Sequence, residues 1–196
     1  MEAKANFKTT QQKNKKREFR YSSIYSQSLI TRSIILPITA IGKNLKQTIE
    51  IDIANNFEGK CVAEGFIKSG SSKIITYSSG VVKGSDIIFE VVFECLICCP
   101  VEGMLIQCQA KNITKAGVRA ESSEEKPSPV VVFVTRDHHY ASQQFSNIKE
   151  GDNFVARVIG QRFELNDKYV SIIAELIEKK EYDVKPKNKP RLVIEA

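Results

Sequence analysis

The sequence contains no tryptophan, few aromatic residues and no long apolar segment. Aromatic residues make up 8% of the 196 residues, so the abundant isoleucine and valine must supply most of any core. Because β-branched side chains fit the half-buried surface of a sheet, this composition favours strands. No apolar run approaches the roughly 20 residues of a transmembrane helix, and no apolar stretch typical of a secretory signal follows the basic N-terminus.

The five cysteines do not form a pattern typical of disulfides. Their number is odd, and Cys61, Cys95, Cys98, Cys99 and Cys108 lie in apolar, strand-like stretches. This favours buried structural thiols in a reducing, intracellular compartment. The cluster around Cys98 also allows a zinc site, but no second pair of ligands follows at a suitable spacing. We therefore expect no metal and no cofactor.

Positive charge is concentrated at the two ends of the chain, whose net charge is +6. Residues 1–20 carry seven basic and two acidic side chains, and residues 178–196 carry six basic and four acidic ones. Residues 21–100 have a net charge of zero, and residues 101–177 have a net charge of −1. Proteins that bind single strands usually present a positive groove, so a uniformly basic binding body is excluded.

The polarity of the sequence predicts two structured units between charged ends. The composition of residues 1–20 predicts a disordered arm. Three roles remain open for it: a solvated tail, an arm that docks on a partner or binds nucleic acid, or a localisation signal. Residues 21–100 predict one helix, at 43–56, on an antiparallel sheet that ends in the long apolar run 87–99. Residues 178–196 are predicted to be a charged C-terminal tail.

Residues 101–177 predict a five-stranded OB-fold barrel. The strand candidates are 104–113, 117–120, 130–135, 154–162 and 169–177. The longest interval separates the third and fourth strands, as in that fold. The predicted fold class is thus α+β, a helix-on-sheet unit followed by a barrel.

No catalytic motif accompanies these elements. There is no phosphate-binding glycine loop, no paired-histidine metal motif and no dinucleotide fingerprint. Glu124 and Glu125 are adjacent rather than spaced for acid–base catalysis. We therefore expect a protein that is not an enzyme.

An ordered set of short motifs resembles one known family. The first half contributes Leu36-Pro37, Phe57–Cys61, Phe89–Phe93 and Pro100–Met104, and the second half contributes Gly117-Val118, Val130–Val134, Ile148–Asp152 and Val155–Gly160. Over residues 25–177 this order resembles the larger stalk subunit of multisubunit DNA-directed RNA polymerases of archaea and eukaryotes, which has a tip domain and an S1 domain.

Two departures from the family are evident. The basic arm is additional, and the family's glycine-and-aromatic motif is replaced by Ala116–Ala120, which has no aromatic residue. Strong base stacking at this surface is therefore not expected. The divergence is consistent with a large DNA virus that encodes its own polymerase, so the expected location is the nucleus, a cytoplasmic viral factory or the virion.

The resemblance implies a non-catalytic subunit whose tip docks on the polymerase core near the clamp. It also implies a smaller helical stalk subunit as heterodimer partner, packed near Pro100–Met104, and support of initiation. The core contact is expected from polar loop residues of the tip: Lys43, Asn44, Lys46, Glu58, Gly59, Lys60, Ser79, Gly80 and Lys83. Glycines 59 and 80 are also explained by turn geometry alone.

The resemblance further implies that the S1 barrel contacts emerging transcript weakly. The candidates are basic or flat groups expected on exposed loops: Lys111, Lys115, Arg119, Arg136, His138, His139, Arg157 and Arg162. Phe133 and Tyr140 are candidates for stacking, although the apolar run around Phe133 also favours a core position. The alternative function is a free-standing S1-domain RNA-binding protein of translation or RNA decay, which leaves the first 75-residue unit unexplained.

Overall fold

The computed structural model describes residues 23–140 and 142–177, and this part of the chain is mostly β. It contains two α-helices, α1 (Leu45–Asn56) and α2 (Gln143–Ser146), and a 3-10 turn at Ile38–Ala40. Its strands are β1 (Tyr25–Pro37), β2 (Cys61–Val62), β3 (Gly65–Ile67), β4 (Lys73–Tyr77), β5 (Val81–Lys83), β6 (Asp86–Cys98), β7 (Leu105–Ile113), β8 (Gly117–Ser122), β9 (Val130–Thr135), β10 (Asn153–Arg162) and β11 (Val170–Leu176).

The first sheet is organised around β6. Strand β1 pairs with β6 antiparallel over 13 residues without a bulge, from Tyr25 opposite Cys98 to Pro37 opposite Asp86. Strands β3, β4 and β5 follow one another along the other edge of β6, and β2 extends β3. One end of this long sheet packs on the barrel described below, and the other end projects away from it.

Helix α1 lies on one face of this sheet. Its buried residues, Ile49 and Ile53, share a hydrophobic core with Ile34, Val91 and Phe93. Each such side chain contributes about 1.5–3 kcal/mol on burial. The helix ends where the backbone N–H of Phe57 bonds the carbonyl of Ile53, before the positive-φ residue Gly59.

The second sheet is a closed barrel in the order β10-β11-β9-β8-β7, so the predicted five-stranded barrel is confirmed. Strands β9 and β11 run parallel, and the other pairs are antiparallel. Phe145 of α2 packs on the inward-facing residues, among them Ile106, Val118, Val132 and Ile172. The same core continues into the first sheet through Ile24, Cys61, Phe66 and Cys98.

Two local predictions were wrong. The run 61–68, whose apolar pattern predicts a single strand, instead forms the β2–β3 hairpin, in which the chain turns at Ala63 and Glu64 and Val62 lies opposite Gly65. The segment 81–83, not predicted as a strand, pairs with β6 as β5. The predicted arm and tail, at residues 1–20 and 178–196, lie outside the described residues, and the boundary at residue 100 stays a prediction.

Candidate interaction surfaces

An exposed apolar row crosses the sheet at the end remote from the barrel. Ile35 lies opposite Ile88, and Ile88 lies opposite Val81, so the three side chains share one sheet face. Ile35 is 60% exposed and Val81 is 65% exposed. Val82 lies opposite Ile87 on the other face of the sheet, and Ile38 is exposed in the 3-10 turn after β1, where its backbone N–H bonds the carbonyl of Ser85 at 3.1 Å. We name Ile35, Val81 and Ile88 the distal patch.

The predicted core-docking residues divide into two groups. Glu58 accepts backbone N–H groups of Gly70 (2.6 Å) and Ser72 (2.9 Å), and the Lys60 ammonium donates to the carbonyl of Asn55 (3.0 Å). These two half-buried side chains therefore stabilise the turn at residues 70–72 and the end of α1. The other predicted residues are exposed, apart from half-buried Gly59: Lys43, Asn44, Lys46, Ser79, Gly80 and Lys83. Of these, Ser79, Gly80 and Lys83 adjoin the distal patch along the chain.

Gly80 is required by packing. A Cβ at this position would lie 2.3 Å from Cγ2 of Ile87 and 2.8 Å from the ring of Phe89. The loop therefore packs closely on the side chains of Ile87 and Phe89, which would have to shift to admit a larger residue. Strand β5 itself is held by its antiparallel pairing with β6, in which Val81 lies opposite Ile88.

On the barrel, the structure brings Arg119 next to Phe133. Asn112, Arg119, Phe133 and Ile173 occupy neighbouring positions on successive strands of the outer wall. Arg119 is exposed, and Phe133 is half-buried rather than sealed in the core. A guanidinium beside a partly open ring is a surface on which one base can stack.

Several other predicted RNA contacts are engaged within the protein. Arg157 pairs with Glu175 at 2.6 Å, Arg162 with Glu164 at 3.1 Å and Lys111 with Glu121 at 3.7 Å. Arg136 donates to the carbonyl of Lys115 at 3.0 Å. Exposed ion pairs of this kind are weak and can exchange for phosphate, but they do not form a positive groove.

The two histidines have opposite environments. His138 is exposed, whereas His139 is buried, so the expectation that His139 lies on an exposed loop was wrong. Its Nε2 accepts the backbone N–H of Leu176 (2.8 Å), which leaves Nδ1–H to donate to the carbonyl of Thr135 (2.8 Å). The ring also stacks on Phe145 with centroids 5.1 Å apart. Both ring nitrogens are therefore hydrogen-bonded to the backbone of the barrel and are not available to a ligand.

A polar cluster joins the sheet to the barrel. The Tyr25 hydroxyl donates to Glu125 (2.6 Å), and the Lys68 ammonium lies 3.1 Å from the same carboxylate and 4.9 Å from the Tyr25 ring. Burial, and then the bond to Glu125, raise the pKa of Tyr25 well above its usual range. The Tyr25 hydroxyl, followed by Lys68, lowers the pKa of Glu125 against the opposing effect of burial.

The cysteines are structural in character. Cys61, Cys95, Cys98 and Cys108 are buried, and Cys99 is half-buried. Burial raises the pKa of Cys95 to about 11 and that of Cys108 to about 12, so these thiols stay protonated and unreactive. Within residues 23–140 and 142–177, no group of three potential ligands is arranged to hold a metal ion.

None of the helices in the described part of the chain has the length and apolarity needed to cross a membrane.

Comparisons with known proteins identify a viral relative. No protein-family profile matches the sequence. The chain is 25% identical over 173 residues to a protein of Acanthamoeba polyphaga mimivirus named "Putative DNA-directed RNA polymerase subunit L376", and the match covers 80% of this chain and 83% of that protein. An uncharacterized protein of Methanocaldococcus jannaschii of known structure matches 41% of this chain and 97% of its own length at 18% identity, with a TM-score of 0.33.

Proposed function

We propose that this chain is a non-catalytic stalk subunit of a DNA-directed RNA polymerase, that it docks on the core near the clamp and supports initiation, and that its barrel guides exiting transcript. The observation that carries the proposal is the similarity to the mimivirus protein named as a polymerase subunit. Because that match spans 80% of the chain, it includes parts of both the sheet and the barrel. The architecture, a long sheet projecting from a closed barrel, suits a docking arm joined to a second module.

The distal patch is the part of the sheet best suited to contact the core. Interfaces between proteins have an apolar centre depleted of charge and a polar rim. Ile35, Ile88 and Val81 supply such a centre, and Lys83, Ser79 and Gly80 lie at its border. The predicted polar docking residues then act as the rim rather than as the main source of affinity.

Docking at this patch provides a mechanism for an effect on the clamp. A subunit that contacts the closed clamp more extensively than the open clamp shifts the population toward the closed form. No chemical step is required of this chain. The continuous pairing of β1 with β6 over 13 residues fixes the position of the patch relative to the barrel.

The seam between sheet and barrel is the proposed contact for a smaller helical stalk subunit. Val101 is 61% exposed there, shortly after the end of β6. The following turn is fixed by the bond from the Gly103 N–H to the carbonyl of Val158 (2.8 Å). An exposed apolar side chain on a fixed turn is suited to the apolar face of a partner helix.

A co-purification experiment tests the docking surface. The chain is tagged in the genome that encodes it, and polymerase subunits recovered with it are identified by mass spectrometry. We expect the large catalytic subunits to be recovered with the wild-type chain. Val81→Asp should reduce their recovery at least about tenfold, because a charge would be buried in an apolar interface.

Leu165→Asp is the matched control. Leu165 is 69% exposed in the turn before β11, so the same change is made on a similarly exposed apolar residue of the barrel. Recovery should remain at the wild-type level. If neither variant alters recovery, the distal patch is not the contact. If no polymerase subunit is recovered with the wild-type chain, the polymerase role is wrong and the free-standing RNA-binding alternative is favoured.

A further inference from the structure

Within the described residues, the outer edge of β1 has no partner strand. Strand β1 stands at the end of the strand order β1-β6-β3-β2, so β6 covers only one of its two edges. The strand is 13 residues long and pairs with β6 without a register shift, so its outer edge is continuous. Edges of this length are usually protected by charges, proline or a bulge, because they present free backbone groups to other chains.

Hydrogen bonds on the far side of β6 show which backbone groups of β1 point outward. The carbonyl of Glu90 accepts the N–H of Ser78 at 2.9 Å, and the N–H of Glu90 donates to the Ser78 hydroxyl at 3.0 Å. The backbone groups of Glu90 are therefore directed away from β1. Glu90 lies opposite Ser33, and in an antiparallel ladder the two members of such a pair both point away from each other. Ser33 and every second residue of β1 from it therefore point to the free edge.

The outward backbone groups between the two ends of this edge belong to Gln27, Leu29, Thr31, Ser33 and Ile35. All of these residues are exposed. Within the described ranges their N–H groups make no hydrogen bond, and of their carbonyls only that of Thr31 is bonded, by the Arg32 guanidinium at 3.0 Å. The row ends at Tyr25, whose N–H bonds the Ser23 hydroxyl at 3.3 Å, and at Pro37, which has no N–H.

The chemistry of this edge is suited to an added strand. Arg32 is the only charged residue of β1, and its guanidinium is paired with Glu64. The side chains of the outward residues are uncharged, and that of Leu29 is 66% exposed. In strand addition, main-chain hydrogen bonds supply affinity and alternate side chains supply specificity. Residues 27–35 span roughly 27 Å, which is the length of an extended segment of about nine residues.

The position of this edge indicates the partner that it serves. Ile35 belongs both to the free edge and to the distal patch, so the two surfaces are continuous. We propose that the edge of β1 over residues 27–35 binds an extended, uncharged segment of a polymerase core subunit as an additional β-strand. The inference rests on the proposed function, in which the distal patch contacts the core, and adds the mode of docking to it.

Thr31→Pro tests the added strand by removing one outward N–H. Proline is tolerated at an edge position whose N–H does not bond within the sheet, so the pairing of β1 with β6 should be retained. Recovery of the large catalytic polymerase subunits with the tagged full chain should fall at least about tenfold, because the proline ring also obstructs the approach of another strand. Circular dichroism verifies that the variant is folded.

Thr31→Val is the matched control. It keeps the outward N–H and a β-branched side chain of similar size, so recovery should stay within about twofold of wild type. Hydrogen exchange of the wild-type chain is a second measurement that needs no variant. The outward amides should exchange at least about tenfold more slowly in the chain recovered with polymerase than in the free chain.

The outcomes separate this inference from the proposed function. The added strand is overturned if folded Thr31→Pro recovers polymerase as wild type does, or if residues 27–35 exchange equally in both states. In either case recovery with wild type leaves the polymerase role standing. Sedimentation that shows a dimer of the free chain, converted to a monomer by Thr31→Pro, would assign the edge to a second copy and also overturn the proposal. Absence of polymerase from the wild-type sample would overturn both.

Discussion

At the scale of single residues, the sequence did not predict which of two neighbouring histidines is buried. His138 and His139 are neighbours with the same chemistry, yet one is exposed and the other closes the barrel. The difference arises because the barrel brings Leu176, which is 37 residues from His139, within hydrogen-bonding distance of the imidazole. The backbone acceptor of Thr135 and the backbone donor of Leu176 then meet the ring on its two sides.

Replacement of His139 by phenylalanine should therefore destabilise the fold. The variant keeps a ring to pack on Phe145 but leaves the Leu176 N–H and the Thr135 carbonyl without their partner. An unsatisfied buried group costs about 1–3 kcal/mol, so the free energy of unfolding should fall by about 2–4 kcal/mol. Urea denaturation measures this value. His138→Phe is the control and should change it by less than about 0.5 kcal/mol; equal effects at the two positions would contradict the assigned hydrogen bonds.

At the scale of elements, alternation and turn residues predicted the barrel well. The strand Val130–Thr135 was predicted with its observed bounds, because a buried run between a proline-containing loop and an irregular segment has clear limits. Strand β5 was missed because three residues between Gly80 and Gly84 are too short for any periodicity. The turn between β2 and β3 was missed because Ala63 and Glu64, which form it, are not typical turn residues.

The glycines of the barrel provide a test at this scale. At Gly117, the first residue of β8, a Cβ would lie 2.2 Å from the carbonyl oxygen of Val134. Gly117→Ala should therefore lower the free energy of unfolding by at least about 2 kcal/mol, because the backbones of two paired strands must separate. Gly160→Ala in β10 is the matched control, since no atom lies within 4 Å of its Cβ position. Chemical denaturation of both variants distinguishes a local packing constraint from a general intolerance of substitution.

At the scale of the whole molecule, the orientation of the sheet on the barrel depends on a few side chains. Tyr25 and Lys68 of the first half both bind Glu125 of the barrel. The hydrophobic core continues across the same junction through Ile24 and Phe66. Sequence patterns did not predict this junction, because Tyr25 and Glu125 are 100 positions apart in the chain.

The junction predicts a specific pH dependence. The pKa of Glu125 is lower in the folded protein than in the unfolded chain, so its stabilising contribution is present above the unfolded pKa and is lost as pH falls through the folded pKa. The stability advantage of wild type over Glu125→Gln should therefore shrink as the pH is lowered from 7 to below about 4. Denaturation curves across this range measure the difference. A constant difference would show that the ion pair and hydrogen bond do not contribute.

The proposed role, a polymerase subunit that docks through the distal patch, is tested most directly by recovery of the large catalytic polymerase subunits with the tagged chain. Recovery is compared between wild type, Val81→Asp and Leu165→Asp. We expect these subunits with wild type and with Leu165→Asp, and their loss with Val81→Asp. Absence of polymerase subunits from the wild-type sample would contradict the proposed role.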